Sequence, residues 1–320
     1  MTPALSRNDT GARVAVLCGG VGAARLLAGL VAVVPAESVT AIVNVGDDTE
    51  MHGLYISPDL DTITYTLGGG SDGERGWGLA GETWAAMDQL DFYGGAAWFR
   101  LGDRDLGTHL YRTGRLSEGA SLSAVTAHIA RAWGIQATLL PVSDDPVRTR
   151  LELDSGEEVN FQEYFVRLRH SVAVRAVRFV GAERAKAAPG VLESLEAAET
   201  IVIAPSNPIV SIGPVLAVPG ISELLTRRRR DVVAVSPIVG GRALKGPADR
   251  LLVELGGQAS ATGVAEVWTS VAGTLVIDEV DADLRDAVEQ TGMSCRVRAT
   301  VMSSPSAAAA LAAAVLAART

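Results

Sequence analysis

The sequence predicts an α/β protein: a doubly wound, mostly parallel, Rossmann-like sheet carrying an inserted, largely helical cap subdomain. Three observations predict it. Short apolar runs recur, each ending in a turn rich in glycine, proline or acid: "RVAVLCGG" (13–20), "VTAIVNVGDD" (39–48), "ETIVIAPSNP" (199–208) and "DVVAVSPIVGG" (231–241). The runs lack polar–apolar alternation, as expected of strands covered on both faces. Helical stretches at 22–33, 190–198, 220–229 and 247–256 follow or separate them, the order that builds a parallel sheet.

The first run feeds the turn Gly19–Gly22 and then a helix. Glycines let backbone N–H groups approach phosphate oxygens, and a helix N-terminus favours negative charge. A nicotinamide dinucleotide is the obvious ligand, but its G-x-G-x-x-G/A fingerprint needs a small residue at the last position. Here Gly20-x-Gly22 is followed by Ala23, Ala24 and then Arg25, which breaks it. Cys18, at the strand's end, reads as a small buried hydrophobe.

The second run ends in Asp47 and Asp48, and "SPDLDT" adds Asp59 and Asp61. Paired aspartates past a strand, beside diphosphate loops, suit a hard cation such as Mg2+. Taken singly, the same residues also read as turn formers or N-caps. Within residues 59–170, the part 59–135 holds few strand patterns and several helical ones: "DLDTITYTLGG", "GETWAAMDQL" and "SLSAVTAHIARAWG". This stretch is taken as the cap, between core segments 1–58 and 171–320; "ATLLPVSD" and 147–169 within it read as strands, with "DSG" as a hairpin turn. "WFRLGDRDLGTHL" (98–110) packs Trp98, Phe99, Arg100, Asp103, Arg104 and Asp105 together. They form either an ion-pair cluster or a clamp for a flat polar ligand. The four histidines are scattered, and His128 reads as structural.

In a parallel sheet the strands' carboxyl ends share one edge. The turn 19–22 and the loops 204–214 and 236–247 are therefore expected to converge there, with Arg242 or Lys245 offering a cation. "SPSAAAALAAAVLAAR" reads as a closing helix with Ser304 as N-cap and Pro305 at its first position.

Bulk properties narrow the function classes. The 320 residues carry a net charge of −9, so no basic face for nucleic acid is expected. The run Arg227–Arg230 reads as a solvated helix end. Two isolated cysteines, Cys18 and Cys295, make a zinc or iron–sulfur site improbable and fit a reducing cytoplasm. The polar N-terminus runs straight into a strand pattern, so no signal peptide is expected, and no uncharged run reaches the roughly 18 residues of a membrane helix. With no G-x-S-x-G motif and no Cys–His pairing, a covalent nucleophile is not expected; direct displacement at phosphorus needs none.

Taken together, "GGVGAARLL", "VNVGDD", "HGLYISPDLDTITYTLGG", "RGWGLAGETW", "WFRLGDRDLGTHL", "FQEYFVR", "APSNPIVSIGPVL" and "SPIVGGRALKGPAD" resemble, in order, the 2-phospho-L-lactate transferase family, whose actinobacterial branch uses phosphoenolpyruvate. The resemblance spans roughly residues 13–250. It implies a step in coenzyme F420 biosynthesis: the deazaflavin Fo attacks a guanosine-diphosphate-activated phosphoenolpyruvate or phospholactate donor and GMP leaves. It further implies that Asp48 and Arg100 contact Fo, with Trp98 beside them. Asp47 and Asp61 hold Mg2+, and a carboxylate of this group accepts the attacking hydroxyl's proton. Ser206, Asn207 and Pro208 lie by the guanosine, and Gly20, Gly22, Gly240, Gly241 and Lys245 by the reacting phosphates. A homodimer is implied as well. The rival readings are a nucleotide-sugar-binding regulator of the same fold and, more remotely, an NAD(P)-dependent oxidoreductase.

Overall fold

The computed structural model describes residues 13–73 and 77–319. The expectation of a signal-free N-terminus falls largely on residues 1–12, outside the described residues.

The chain opens with β1 (Val14–Cys18), α1 (Gly20–Val33) and β2 (Val39–Val43). A hairpin of β3 (Thr49–Met51) and β4 (Leu54–Ile56) leads into α2 (Pro58–Leu67), α3 (Ala85–Phe92), α4 (Asp103–Ser117) and α5 (Leu122–Ala132). Then come β5 (Thr138–Pro141) and a three-stranded antiparallel sheet of β6 (Arg148–Leu153), β7 (Glu158–Asn160) and β8 (Val174–Val180). Alternation resumes with α6 (Val191–Ala197), β9 (Thr200–Ile203), α7 (Gly213–Leu216), α8 (Ile221–Arg227) and β10 (Val232–Val235). The hairpin β11 (Ile238–Val239) and β12 (Arg242–Ala243) precedes α9 (Ala248–Glu254) and α10 (Ala261–Trp268). β13 (Thr274–Ile277), α11 (Arg285–Gln290), β14 (Ser294–Val297) and α12 (Pro305–Leu316) complete the chain.

Seven strands form one parallel sheet in the order β14-β13-β10-β9-β1-β2-β5. β1, β9, β10 and β13 are buried along their whole length, which is why they read as unbroken apolar runs. This is the α/β fold the sequence predicts. Three local expectations change. β5 pairs with β2 from Thr138 to Pro141, so the segment 59–170 is not wholly outside the sheet: it supplies the edge strand, and Pro141 is tolerated there because an edge has a side with no ladder to donate to. Residues 163–167, taken as strand, form a π-helical turn. Arg228, taken as solvated, donates to the carbonyls of Leu195, Glu196 and Ala198 at the end of α6, while Arg229 donates to those of Thr269 and Gly292. Those carbonyls lack intrahelical partners, so two of the four arginines serve as helix-end staples.

From β1 the chain builds outward to β2 and β5, then returns to β9 on the other flank of β1 and builds outward again. The order therefore reverses between β1 and β9, which makes the carboxyl ends of these two strands the switch point of the sheet. Behind it, α12 crosses α1 at Gly29, where any Cβ would collide with the backbone of Ala308. As expected, Ser304 caps α12, accepting from the Ala307 N–H at 3.2 Å, with Pro305 in its first turn. Among the described residues no single helix is long and apolar enough to cross a membrane.

Candidate active site

The glycine turn is set by the loop leaving β9. Ser206 Oγ donates to the Gly19 carbonyl at 2.8 Å and accepts from the Gly19 N–H at 3.2 Å. A Cβ on Gly22 would stand 2.5 Å from the Pro205 carbonyl oxygen, so only glycine lets the two loops close this far. Gly20 holds φ +75°, a left-handed conformation open to glycine at little cost. Buried Ala23 and Ala24 give α1 its close approach to the sheet, while Arg25 reaches away to the Met302 carbonyl at 3.3 Å.

Three buried carboxylates gather here: Asp59, in the first turn of α2, lies against the glycine turn, and Asp47, past β2, lies near enough to feel the charges of Asp59 and Asp48. A Cβ on Gly19 would fall 2.5 Å from Asp59 Oδ2, which also accepts from Asn44 Nδ2 at 2.9 Å. Asp48 Oδ2 accepts from the Tyr55 and Ser57 hydroxyls, both at 2.9 Å. Asp47 Oδ1 and Asp48 Oδ1 are buried with no hydrogen-bond partner. Burial drives Asp47 well above the usual carboxylate range, and the charges of Asp59 and Asp48 push it further. Burial lifts Asp48 to about 7 against the pull of Arg148, Ser57, Tyr55 and Arg112. It lifts Asp59 to about 6 against hydrogen bonds from Asn44 and Gly20.

The raised values have a definite sign. Between the unfolded carboxyl value and the native value, the native state holds protons that the unfolded state has lost, so stability falls as pH rises. For Asp48 and Asp59 the loss accrues from about pH 4 and is complete above about pH 7, and a three-unit shift corresponds to about 4 kcal/mol. In metal-free buffer the melting temperature of an Asp48→Asn protein is therefore expected to pull ahead of the wild type as pH rises from about 4 to about 7. A gap independent of pH would refute this.

Asp61, two residues beyond Asp59, belongs to a second network. Both of its oxygens accept from the Arg112 guanidinium, one of them at 3.2 Å, and His109 Nδ1 lies 3.7 Å from it. His109 Nε2 faces Asp105 at 3.3 Å, and the Tyr65 hydroxyl donates to the same carboxylate. Arg112 and His109 are 2% and 1% exposed. They tie α4 of the cap to α2, the helix that carries Asp59.

A sequence model of the family described as 2-phospho-L-lactate transferase CofD matches residues 14–302. The chain belongs to this family. As a member of the 2-phospho-L-lactate transferase family it is a transferase enzyme, and the match continues past the segments that carry the resemblance. The chain is 46% identical to a phosphoenolpyruvate transferase of Streptomyces griseus over 94% of its own length and 96% of that protein. It is 41% identical to one of Mycolicibacterium smegmatis, over 93% and 96%. A crystal structure of a UPF0052-family protein from Bacillus halodurans superposes with a TM-score of 0.66 at 16% identity, covering 97% of this chain and all of that one; at that identity it speaks to the fold.

Within this family member, the structure brings together Gly20, Gly22, Asp47, Asp48 and Ser206, with Asn207 and Pro208 on the same loop as Ser206. Asn207 Oδ1 accepts from the Ile209 and Val210 N–H groups, which fixes the amide and leaves Nδ2 buried without an acceptor. Asp61 is not brought to Asp47: its oxygens are occupied by Arg112, and Asp59 stands in its place. Nor is Gly240 open to a phosphate, because its N–H donates to both oxygens of buried Asp281 at 3.1 and 3.0 Å. Gly241 and Lys245 lie exposed on the hairpin after β10, two strands from β1. Arg100 pairs with Asp88 and lies 5.3 Å over Trp84, while Trp98 packs edge-on against Phe99; among the described residues no contact joins them to the acid cluster. Much of the polar density of 98–110 is helix capping: Asp103 accepts from the N–H groups of Ala85 and Ala86, and Glu82 from those of Arg104 and Asp105. His109 and Arg112 were not singled out from sequence. Their signal was present in the spacing Asp105, His109, Arg112, one face of a helix.

Proposed function

We propose that this chain moves a phosphoenolpyruvyl or 2-phospho-L-lactyl group from a guanosine-diphosphate-activated donor to a hydroxyl of the deazaflavin Fo. GMP leaves and the phosphodiester of (dehydro) coenzyme F420-0 forms. The names of the actinobacterial relatives favour the phosphoenolpyruvyl donor. The observation that carries the reading is the acid cluster, with two carboxylate oxygens buried without partners beside a glycine turn at the sheet's switch point. Such oxygens fit a hard divalent cation, which takes one or two carboxylates and completes its shell with water and substrate phosphates. Asp47 would hold Mg2+ through its unpartnered oxygen, with Asp59 beside it, and the unpartnered oxygen of Asp48 would be left to the acceptor hydroxyl. When bound, the cation neutralises charge on the reacting phosphates.

The chain's own residues do the rest. The N–H groups at the start of α1 receive phosphate oxygens, and Asn207 Nδ2 offers a donor to the guanine edge. Trp98 and Arg100 would cover the flat ring from the cap, and Lys245, just past the hairpin that follows β10, would reach in toward the diphosphate. The acceptor oxygen forms a bond to the donor's β-phosphorus, the bond from that phosphorus to the bridging oxygen breaks, and its electron pair departs on GMP. The hydroxyl proton passes to Asp48, whose carboxyl, at about 7, is matched to accept it near neutral pH.

The test supplies Fo, Mg2+ and each synthetic guanylated donor and identifies products by mass spectrometry. Formation of GMP together with the phosphodiester is the expected result. No product from either donor, with Fo fluorescence unchanged by the protein, would overturn the reading.

A further inference from the structure

Two cations stand beside the acid cluster, and only one of them is fixed by a salt bridge. Of the two guanidinium groups that act on Asp48, Arg112 is locked on Asp61, while Arg148, whose influence on Asp48 is the stronger, forms no salt bridge among the described residues. Arg148 opens β6, and its place there is fixed. The next residue, Thr149, donates its backbone N–H to the Gly46 carbonyl at 2.7 Å, immediately before Asp47. A Cβ on Gly46 would lie 2.6 Å from Thr149 Oγ1, so this contact needs a glycine. The Arg148 guanidinium lies 5.5 Å over the ring of Tyr55, whose hydroxyl binds Asp48. It donates to the Val147 carbonyl at 3.0 Å and is half-buried, with donors to spare. A planar guanidinium held on an aromatic face is preorganised for two-pronged capture of a carboxylate or phosphate.

We propose that Arg148, held over Tyr55 at the rim of the acid cluster, binds the carboxylate of the three-carbon acid being transferred. This rests on the transfer reading above. The acid cluster repels that carboxylate, and Arg148 supplies the opposite charge beside it.

The test compares wild type, Arg148→Gln and Arg148→Lys with two donors: guanylated phosphoenolpyruvate and guanylated vinyl phosphate, which lacks the carboxylate. In Arg148→Gln the KM of the first donor is expected to rise about tenfold or more, with the KM of Fo unchanged. With the second donor that penalty is expected to vanish, and lysine recovers part of it. An equal penalty with both donors, or none with either, overturns the proposal; melting curves identify any variant that fails to fold, and Arg148→Lys then decides the comparison. Calorimetric binding of phosphoenolpyruvate and inorganic phosphate separates the two readings. If wild type transfers neither group, the transfer reading fails, yet selective loss of phosphoenolpyruvate binding in the variant still supports Arg148. No phosphoenolpyruvate binding by wild type, or equal loss of both ligands, counts against it.

Discussion

Asp48→Asn is expected to lower turnover by about 10²- to 10⁴-fold, the range lost with a general base, while leaving the protein folded. The substitution is nearly isosteric. The asparagine oxygen can still accept from the Tyr55 and Ser57 hydroxyls, and the atom that changes most, Oδ1, has no partner to lose. What disappears is the capacity to hold a proton. The measurement is the rate of GMP release under saturating donor and Fo, paired with a melting curve at the same pH. Turnover within tenfold of wild type would remove Asp48 from the chemistry. Unfolding would show that its carboxylate is structural.

The second large effect is on stability. Arg112→Ala is expected to cost about 3–5 kcal/mol, the range found when one partner of a buried ion pair is removed. The mutation strands the buried Asp61 carboxylate, which loses both contacts to the guanidinium, and withdraws the positive neighbour of His109 Nδ1. Replacing both partners, as in Arg112→Met with Asp61→Leu, is expected to recover most of the loss, because no charge then remains without water or partner. Urea unfolding at pH 7 measures both variants. A single-variant cost below about 1 kcal/mol would mean that water reaches Asp61 and the network is not sealed.

Much of this fold was legible because its signals are local. A buried parallel strand followed by a glycine- or acid-bearing loop is readable in a dozen residues, and β1, β2, β9 and β10 all have that form. β13 and β14 were not picked out: β13, as short and buried as β9, feeds no glycine- or proline-bearing loop, and β14 carries Arg296 in an edge strand, which breaks its apolar run. β5 was readable as a strand but not as a member of the main sheet, because pairing across that distance leaves no mark in the local pattern. The candidate site divides in the same way. The glycine turn and the Asp47–Asp48 pair follow directly from strands. The choice between Asp59 and Asp61 does not. Residues two apart on a helix point to nearly opposite sides, so only one of them can face the glycine turn, and nothing within "SPDLDT" says which. The answer lies about fifty residues on, where Arg112 takes Asp61 and leaves Asp59 to the glycine turn. The Gly240 loop misled for a related reason: the anion at its N–H is Asp281, contributed by a distant stretch of the same chain.

The crossing of α12 over α1 has a consequence for how the protein is made. β1 and α1 leave the ribosome among the first elements, yet β1 gains its second neighbour only when β9 emerges. α1 gains its outer support at Gly29 only when residues 305–316 are free. At about 5–20 residues per second, translation leaves the glycine turn waiting for tens of seconds beside unpaired strand edges. The earliest-synthesised part of the site is thus among the last to be braced, and the emergence of α12 is the event that supports it.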